Sequence, residues 1–206
     1  MASQLGGSPR IYAGEQRFSA AESAWEGLRL QPRRVGFSIF NAGKLRFRMP
    51  LPSQEVRTFL TSSTTWERRS LLQSHSLCDL LLDVIRENRS KKRMQVHEFV
   101  FMRDHIHLIL TPDPVVSLEK AMQFIKGGFS YRAKKELNFN GEIWQKGYNE
   151  RRIQDADDYA KAVEYVWLNP VKAGMALRPE EYLYSSARLR EEIDPAPPQF
   201  QSKARG

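Results

Sequence analysis

Residues 94–111 constrain the fold most, because two apolar runs are separated there by only two polar residues. Met94 to Met102 and His105 to Thr111 both have the composition and alternation of β-strands, and Arg103-Asp104 between them suits a tight turn. A connection this short can join only antiparallel neighbours, since parallel strands need a long crossover. The stretch therefore predicts an antiparallel strand pair.

The flanking patterns predict one more strand and three helices. Val56 to Thr65 reads as a first strand, and Leu77 to Ile85 has helical spacing with Ser74 or Ser76 as a cap. Ser117 caps a helix that extends to Leu137, in which Gly127-Gly128 predicts a kink or a break. A last helix spans Asp155 to Leu168 and is stopped by Asn169-Pro170. This order predicts an α+β domain of the split-βαβ type, an antiparallel sheet with helices on one face.

The domain is flanked by two segments of different composition. Residues 1–53 are rich in Gly, Ser, Ala and Arg and end in Pro50-Leu51-Pro52-Ser53, which predicts a largely disordered N-terminal extension. Residues 54–190 form the predicted domain. Residues 191–206 contain Pro195, Pro197 and Pro198 and are predicted to be a flexible tail.

Composition excludes several classes of protein. With 206 residues the chain suits one domain, and it has no apolar run of the roughly 18 residues that a membrane span needs. A single cysteine, Cys78, excludes an internal disulfide framework and a cysteine-based zinc finger, and its place in a helical pattern predicts burial. Since no signal-peptide pattern is present either, the sequence predicts a cytoplasmic protein without a membrane partner.

The chain is basic, but the charge is unevenly distributed. The formal net charge is +8, of which residues 1–53 contribute +5 and the rest of the chain only +3. Within residues 126–152, cations alternate with aromatic residues, a combination that single-stranded nucleic acid favours, although a solvated helix face beside core aromatics gives the same pattern. The candidate DNA-binding cations are Arg68, Arg69, Lys126, Arg132, Lys134, Lys135, Lys146, Arg151 and Arg152.

The sequence His105-Ile106-His107 is the strongest chemical signal. Because a strand alternates its faces, both imidazoles point the same way, on the face turned away from Ile106, Leu108 and the predicted core. Two neutral imidazoles on one face are half of a divalent-metal site, whereas a hydrogen-bonded strand pair is the structural alternative. The other histidines, His75 and His97, are interpreted as structural.

A tyrosine on the second helix is the candidate nucleophile. Tyr131 lies two residues from Phe129 in the apolar stripe, about 200° around the helix axis, so it projects away from the core. Lys134 and Lys135 share its side of the helix, and nearby cations favour the phenolate. An ordinary amphipathic surface tyrosine is the alternative interpretation.

Several separated motifs, in this order, resemble a known family. They are Val96-His-Glu-Phe-Val-Phe-Met-Arg-Asp-His-Ile-His-Leu-Ile-Leu110, Gln123-Phe-Ile-Lys-Gly-Gly-Phe-Ser-Tyr131, Gly141-Glu-Ile-Trp-Gln145, Tyr165-Val-Trp-Leu-Asn-Pro-Val-Lys-Ala-Gly174 and Tyr184-Ser-Ser186. Residues 55–190 thus resemble the REP-associated tyrosine transposases, single-tyrosine members of the HUH endonuclease superfamily.

The resemblance implies a fold, a reaction and a set of site residues. It implies a ferredoxin-like or RRM-like domain that cuts single-stranded DNA beside a hairpin, leaving a 5′-phosphotyrosyl enzyme and a free 3′-OH that allows rejoining. Carried over, His105 and His107 bind Mg²⁺ or Mn²⁺ and Tyr131 attacks the phosphate, with Tyr148 as the alternative nucleophile. A monomer and a homodimer both remain open.

Two departures from the family pattern are visible. Relatives carry Met-Pro-Asn/Asp-His before the first histidine, whereas this chain has Arg103 in place of the proline. Relatives also place an amide side chain, the third metal ligand, one helical turn after the tyrosine, and after Tyr131 that position is Lys135. A protonated lysine offers no acceptor. The Lys135 departure motivates one alternative to a strand transferase, a catalytically impaired, domesticated hairpin-binding protein. A metal-dependent phosphodiesterase that uses water is a further alternative.

Overall fold

The molecule is built on a five-stranded antiparallel sheet. The computed structural model describes residues 56–201 and the two-residue strand 31–32. The strands are β1 (Gln31–Pro32), β2 (Phe59–Thr64), β3 (Met94–Phe101), β4 (His105–Pro112) and β5 (Asn149–Arg152), in the spatial order β1-β5-β2-β4-β3. In the described part of the chain, three α-helices accompany them: α1 (His75–Ser90), α2 (Leu118–Leu137) and α3 (Ala156–Lys172). The predicted α+β class with an antiparallel sheet is confirmed.

None of the described helices combines the length and apolarity needed to cross a membrane.

Local sequence explains where the helices begin. Ser117 caps α2 as predicted, because its Oγ accepts a hydrogen bond from the Lys120 N–H at 3.2 Å. Asp155 caps α3 in the same way, accepting from the Asp158 N–H at 2.8 Å. Strand β5 was not predicted, since its sequence Asn-Glu-Arg-Arg has no apolar alternation.

The sheet has helices on both faces, which differs from the prediction of helices on one face. Helices α1 and α2 cover the face formed by Ile106, Leu108 and Leu110, and together they build the larger core. The opposite face also carries apolar side chains, and α3 covers them in a second core whose members include Leu60, Val100, Ile109, Tyr159 and Val166. The second face would otherwise expose a continuous apolar surface, so its burial by α3 is favourable.

The predicted kink at Gly127-Gly128 is wrong, because α2 is continuous through both residues. A Cβ added to Gly128 would lie 3.4 Å from Cγ1 of Val84 on α1. The missing side chain therefore lets the two helices approach closely, and this packing offsets the helix-propensity cost of glycine.

The predicted stop at Asn169-Pro170 is also wrong, because α3 continues to Lys172. Pro170 lies in the last turn of the helix, where its missing N–H removes a single helical hydrogen bond. Asn169 supports this turn by donating from Nδ2 to the carbonyl oxygen of Tyr165 at 2.9 Å. The extra turn places Asn169 within regular helix, on the same helix as Tyr165.

The C-terminal segment up to residue 201 packs on the domain, in contrast to the predicted flexible tail. Asp194 exchanges two hydrogen bonds of 2.7 Å with the backbone of Val96 on the edge strand β3. Arg89 of α1 forms an ion pair with Asp194 at 2.8 Å, and Arg86 pairs with Glu192. The segment thereby covers a sheet edge that would otherwise be open to pairing with other chains. The predicted extension 1–53 lies outside the described residues, apart from strand β1.

Cys78 is fully buried, as predicted, and its Sγ donates to the carbonyl oxygen of Leu72 at 3.1 Å. Burial raises the pKa of this thiol to about 12. Because only the thiolate is reactive, native protein at pH 8 is expected to react with a thiol-specific chromogenic disulfide at least about 100-fold more slowly than unfolded protein. Absorbance with and without guanidinium measures the two rates, and the single cysteine makes the signal unambiguous. Rapid reaction of the native protein would contradict the packing around this thiol.

Candidate active site

The paired histidines lie where strand β4 passes beneath helix α3. His105 and His107 share the face of β4 that α3 covers, and their ring centroids are 4.8 Å apart. His107 is fully buried, whereas the His105 side chain retains 24% of its exposure. The two imidazoles therefore share one face as predicted from the strand period, but that face is covered instead of open.

Asp104 orients the ring of His105. The distance from His105 Nδ1 to Asp104 Oδ1 is 2.6 Å, so this nitrogen carries the proton that the carboxylate accepts and Nε2 is left as a lone-pair donor. Burial would raise the pKa of Asp104, but the hydrogen bond from His105 and the nearby guanidinium of Arg68 together lower it. Thr65 fixes the turn by donating its N–H and its hydroxyl to the Asp104 carbonyl oxygen.

His107 is held in its neutral form. Burial is the main reason why the pKa of His107 lies well below its usual value; His105 lowers the pKa further, and the nearby side chain of Asn169 opposes the shift. A neutral imidazole keeps a lone pair, the state in which histidine binds metals. His107 thus has the electronic state of a ligand at neutral pH.

Tyr165 on α3 lies directly over His107. Their ring centroids are 5.2 Å apart and the rings meet at 74°, edge to face. Only 9% of Tyr165 is exposed, and burial raises the pKa of its phenol, while a side-chain hydrogen bond with Asn169 acts in the opposite direction. The tyrosine that contacts the histidine pair is therefore Tyr165 of α3, whereas the sequence predicted Tyr131 of α2.

Asn169 completes the cluster one helical turn after Tyr165. Its side chain lies close enough to the His107 imidazole and the Tyr165 phenol to affect the pKa values of both. Since Nδ2 donates to the Tyr165 carbonyl oxygen, Oδ1 is the carboxamide atom with lone pairs to offer. Two imidazoles, an amide oxygen and a phenol are thus gathered at one place.

The structure does not bring Tyr131 to this cluster, which corrects the sequence-based assignment. Tyr131 projects from α2, which packs against the other face of the sheet through Phe129 and Ala133. It is 66% exposed, and its ring lies 5.9 Å from Lys135 Nζ. Tyr148, the alternative, is partly buried against the same helix-side core. The sheet therefore separates both tyrosines from the histidine face.

The predicted DNA-binding cations have different environments. Arg68 lies beside the cluster, with Nη1 3.4 Å from Asp104 Oδ2. Lys126 is directed inward, donates to the carbonyl oxygens of Gln145 and Gly147, and has its pKa lowered to about 8 by burial. Arg69 donates to backbone carbonyls, and Arg132 and Arg151 form ion pairs with carboxylates. Arg152 is partly buried. The exposed members of the set are Lys134, Lys135 and Lys146.

The remaining histidines have structural surroundings. His97 is buried, with Nε2 2.8 Å from Thr111 Oγ1 and Nδ1 2.6 Å from the Pro195 carbonyl oxygen. His75 lies at the surface, 3.1 Å from the Tyr184 hydroxyl. Across the described part of the chain, no group of three or more His, Cys, Asp or Glu side chains could hold a metal ion. A metal at this cluster would therefore depend on the amide of Asn169 as a third ligand.

Sequence reasoning missed Tyr165 and Asn169, although a usable signal was present. A tyrosine followed four residues later by an amide places both side chains on one helix face. The segment Tyr165-Val-Trp-Leu-Asn169 has this spacing, whereas the corresponding position after Tyr131 is Lys135. The Asn-Pro pair instead predicts a helix stop, so in that prediction Asn169 does not share a helix face with Tyr165.

Comparisons with known proteins agree on one family. The family model described as "Transposase IS200 like" matches residues 62–167. A putative REP-associated tyrosine transposase of Haemophilus influenzae is 29% identical over 123 residues, which cover 52% of this chain and 70% of the relative. The REP-associated tyrosine transposase of Escherichia coli K12 is 25% identical over 140 residues, covering 64% and 81%. A solved REP-associated tyrosine transposase bound to a REP hairpin is 20% identical and aligns with a TM-score of 0.58 over 79% of this chain and 97% of that one, which shows a shared fold.

Proposed function

The chain belongs to the IS200-like transposase family, and from that premise we propose that it cuts and rejoins single-stranded DNA beside a hairpin, with Tyr165 as the nucleophile. The observation that carries the proposal is the cluster of His107, Tyr165 and Asn169 on one face of the sheet. In this arrangement the family's expected amide, one turn after the tyrosine, is present as Asn169. The Lys135 departure, which suggested an impaired enzyme, then concerns a helix outside the site.

The donor set fits a divalent cation such as Mg²⁺ or Mn²⁺. Nε2 of His105, a ring nitrogen of His107 and Oδ1 of Asn169 would hold it, and Asp104 would act as the carboxylate that orients His105. Because the protein would supply only a few ligands, coordination positions would remain open for phosphate oxygens and water. When bound, the ion supplies positive charge that polarises the phosphate and favours the phenolate of Tyr165.

The chemistry assigned to Tyr165 is a transesterification. Its phenol loses a proton and the oxygen attacks the phosphorus, forming a bond to the phosphate that stays on the 5′ end of the strand downstream of the cut. The bond from phosphorus to the 3′ oxygen breaks, and that oxygen takes up a proton to become a free 3′-OH. One phosphoester bond is exchanged for another, so attack by a 3′-OH on the adduct reverses the step and rejoins the strand.

The proposed DNA partner is a hairpin with a single-stranded flank. The similar solved transposase is bound to a REP hairpin, and exposed cations of this chain suit the same kind of ligand. Arg68 and the exposed Arg103 lie at the turn that carries Asp104, next to the cluster. Phosphate groups near the cut strand would meet these two guanidinium groups first.

Asp104→Ala is expected to weaken Mn²⁺ binding about 10- to 100-fold, because the carboxylate fixes the ring orientation of His105. Free Mn²⁺ in titrations, measured by electron paramagnetic resonance, gives the affinity. Asp104→Asn serves as the matched comparison, since its amide oxygen still accepts the Nδ1 proton and should restore most of the affinity. Equal affinity of wild type and Asp104→Ala would remove Asp104 from the metal site.

A covalent-adduct assay tests the proposed function itself. Hairpin oligonucleotides, drawn from DNA flanking the coding region and from REP sequences, are incubated with the protein in Mn²⁺ or in EDTA and resolved on a denaturing gel. A protein–DNA adduct that requires Mn²⁺ is expected. Tight hairpin binding without an adduct would instead indicate the domesticated binding protein, and cleavage without attached protein would indicate water as the nucleophile.

A further inference from the structure

Glu98 on β3 is a buried carboxylate that the proposed chemistry does not use. It is 3% exposed and faces α3. Three donors surround it: Trp167 Nε1 at 2.7 Å, Ser186 Oγ at 2.5 Å and Arg190 Nη1 at 3.1 Å. A buried charge is tolerated when it is paired and its lone pairs are satisfied, so this network holds its members in defined positions.

A β-bulge directs Glu98 toward α3. The register of β3 against β4 shifts between Val96 and Glu98, which leaves His97 as the extra residue. Beyond the bulge, Val100 pairs with His107, and Glu98 lies two residues from Val100 on the same face. The carboxylate and the histidine pair therefore belong to the same face of the sheet, and both contact α3.

Trp167 lies on α3 between the two residues that the site requires. It is two residues after Tyr165 and two before Asn169. One face of its indole is covered by the guanidinium of Arg190, with 5.3 Å between Cζ and the ring centroid. Its Nε1–H is held by Glu98. The hydrogen bond to Glu98 therefore holds the indole in the plane of its ring, and Arg190 holds it from one face. Both contacts act on the part of α3 between Tyr165 and Asn169.

We propose that Glu98, Trp167 and Arg190 form a clamp that fixes the rotation of α3 and so positions Tyr165 and Asn169 over His107. The inference rests on the proposed function, since it assigns a purpose to residues around the same site. All three are positioning residues, because none of them contacts the reacting atoms. Misplacement of reacting groups by about 1 Å can slow a reaction about 100-fold, so even a small rotation of α3 is costly.

Trp167→Phe is the sharpest test, because it keeps an aromatic ring near Arg190 and removes the Nε1–H group that donates to Glu98, together with part of the indole. Tyr182→Phe is the matched control: it removes the hydrogen bond from the Tyr182 hydroxyl to the Phe101 carbonyl oxygen, 2.8 Å long, at the edge of the same core but off α3. Glu98→Gln is a second test variant, since it keeps the shape and an acceptor while removing the charge that pairs with Arg190.

Four measurements on full-length protein separate positioning from general stability. With saturating hairpin, the single-turnover rate of adduct formation is expected to fall about 10- to 100-fold in Trp167→Phe, while the hairpin Kd stays within about threefold. Mn²⁺ affinity is expected to fall several-fold, because Asn169 is on the same helix. Amide hydrogen exchange in residues 163–169 of the metal-free protein is expected to accelerate in Trp167→Phe and not in Tyr182→Phe.

The outcomes distinguish a failed clamp from a failed function. If wild type forms adduct and Trp167→Phe matches it in rate, Mn²⁺ affinity and exchange, the clamp is wrong. If wild type forms no adduct, the proposed function fails, and hydrogen exchange alone decides whether the network holds α3. Equal acceleration of exchange in Trp167→Phe and Tyr182→Phe would reduce the network to ordinary packing.

Discussion

Tyr165→Phe is expected to abolish the covalent protein–DNA adduct, lowering its yield by at least roughly a thousandfold, since removal of a nucleophile leaves no oxygen to attack the phosphorus. The substitution deletes one hydroxyl and keeps the ring that packs on His107. Hairpin affinity should therefore stay within about threefold of wild type. Denaturing gels with labelled hairpin and Mn²⁺ measure the adduct, and mobility shifts without Mn²⁺ measure binding.

Tyr131→Phe is the matched control, because it makes the same chemical change on the other side of the sheet. Tyr131 is 66% exposed and lies on α2, away from the histidine face, so its variant is expected to form adduct at the wild-type rate. An adduct that survives Tyr165→Phe but disappears in Tyr131→Phe would show that the site assembles differently in the DNA complex. Loss in both variants would indicate a general defect and would be resolved by the binding measurement.

The parts of the fold that the sequence predicts are those determined locally. The β3–β4 pair follows from two apolar runs with a two-residue connection, and α2 follows from the Ser117 cap and a regular apolar stripe. Strand β5 is different, because Asn149–Arg152 is polar and becomes a strand through pairing with β2. Such a segment takes its conformation from a distant neighbour, which a local pattern does not report.

Only the histidine half of the candidate site was predicted from the sequence, for a related reason. A period of two is enough to place His105 and His107 on one side of β4, so the pair is visible in the sequence. Which helix covers that side is a long-range property. The sequence favours Tyr131 as the nucleophile because this residue projects away from the core beside two lysines. A buried residue such as Tyr165 has the sequence pattern of an ordinary core residue. The four-residue spacing to Asn169 was the one local signal that distinguished them.

The most informative test of the proposed metal site is Asn169→Ala. This variant is expected to bind Mn²⁺ at least about 100-fold more weakly and to form adduct only near background. The reason is that Asn169 would supply the third protein ligand, and loss even of a residue that only supports a ligand costs about 10- to 100-fold in affinity. Its Oδ1 is the available acceptor beside His107, since Nδ2 donates to the Tyr165 carbonyl oxygen. Titrations monitored by electron paramagnetic resonance give the affinity directly.

Two further variants decide what an Asn169→Ala defect means. Lys135→Ala changes the residue that follows Tyr131 by one turn, and it is expected to leave Mn²⁺ affinity at the wild-type value, because Lys135 is exposed on α2. Asn169→Asp keeps an oxygen ligand and adds a negative charge, so it should bind Mn²⁺ at least as tightly as wild type while losing the donor to the Tyr165 carbonyl oxygen. Wild-type affinity in Asn169→Ala would exclude the amide as a ligand. Weak binding by both Asn169 variants would instead show that the hydrogen bond within α3, and not coordination, is what the residue provides.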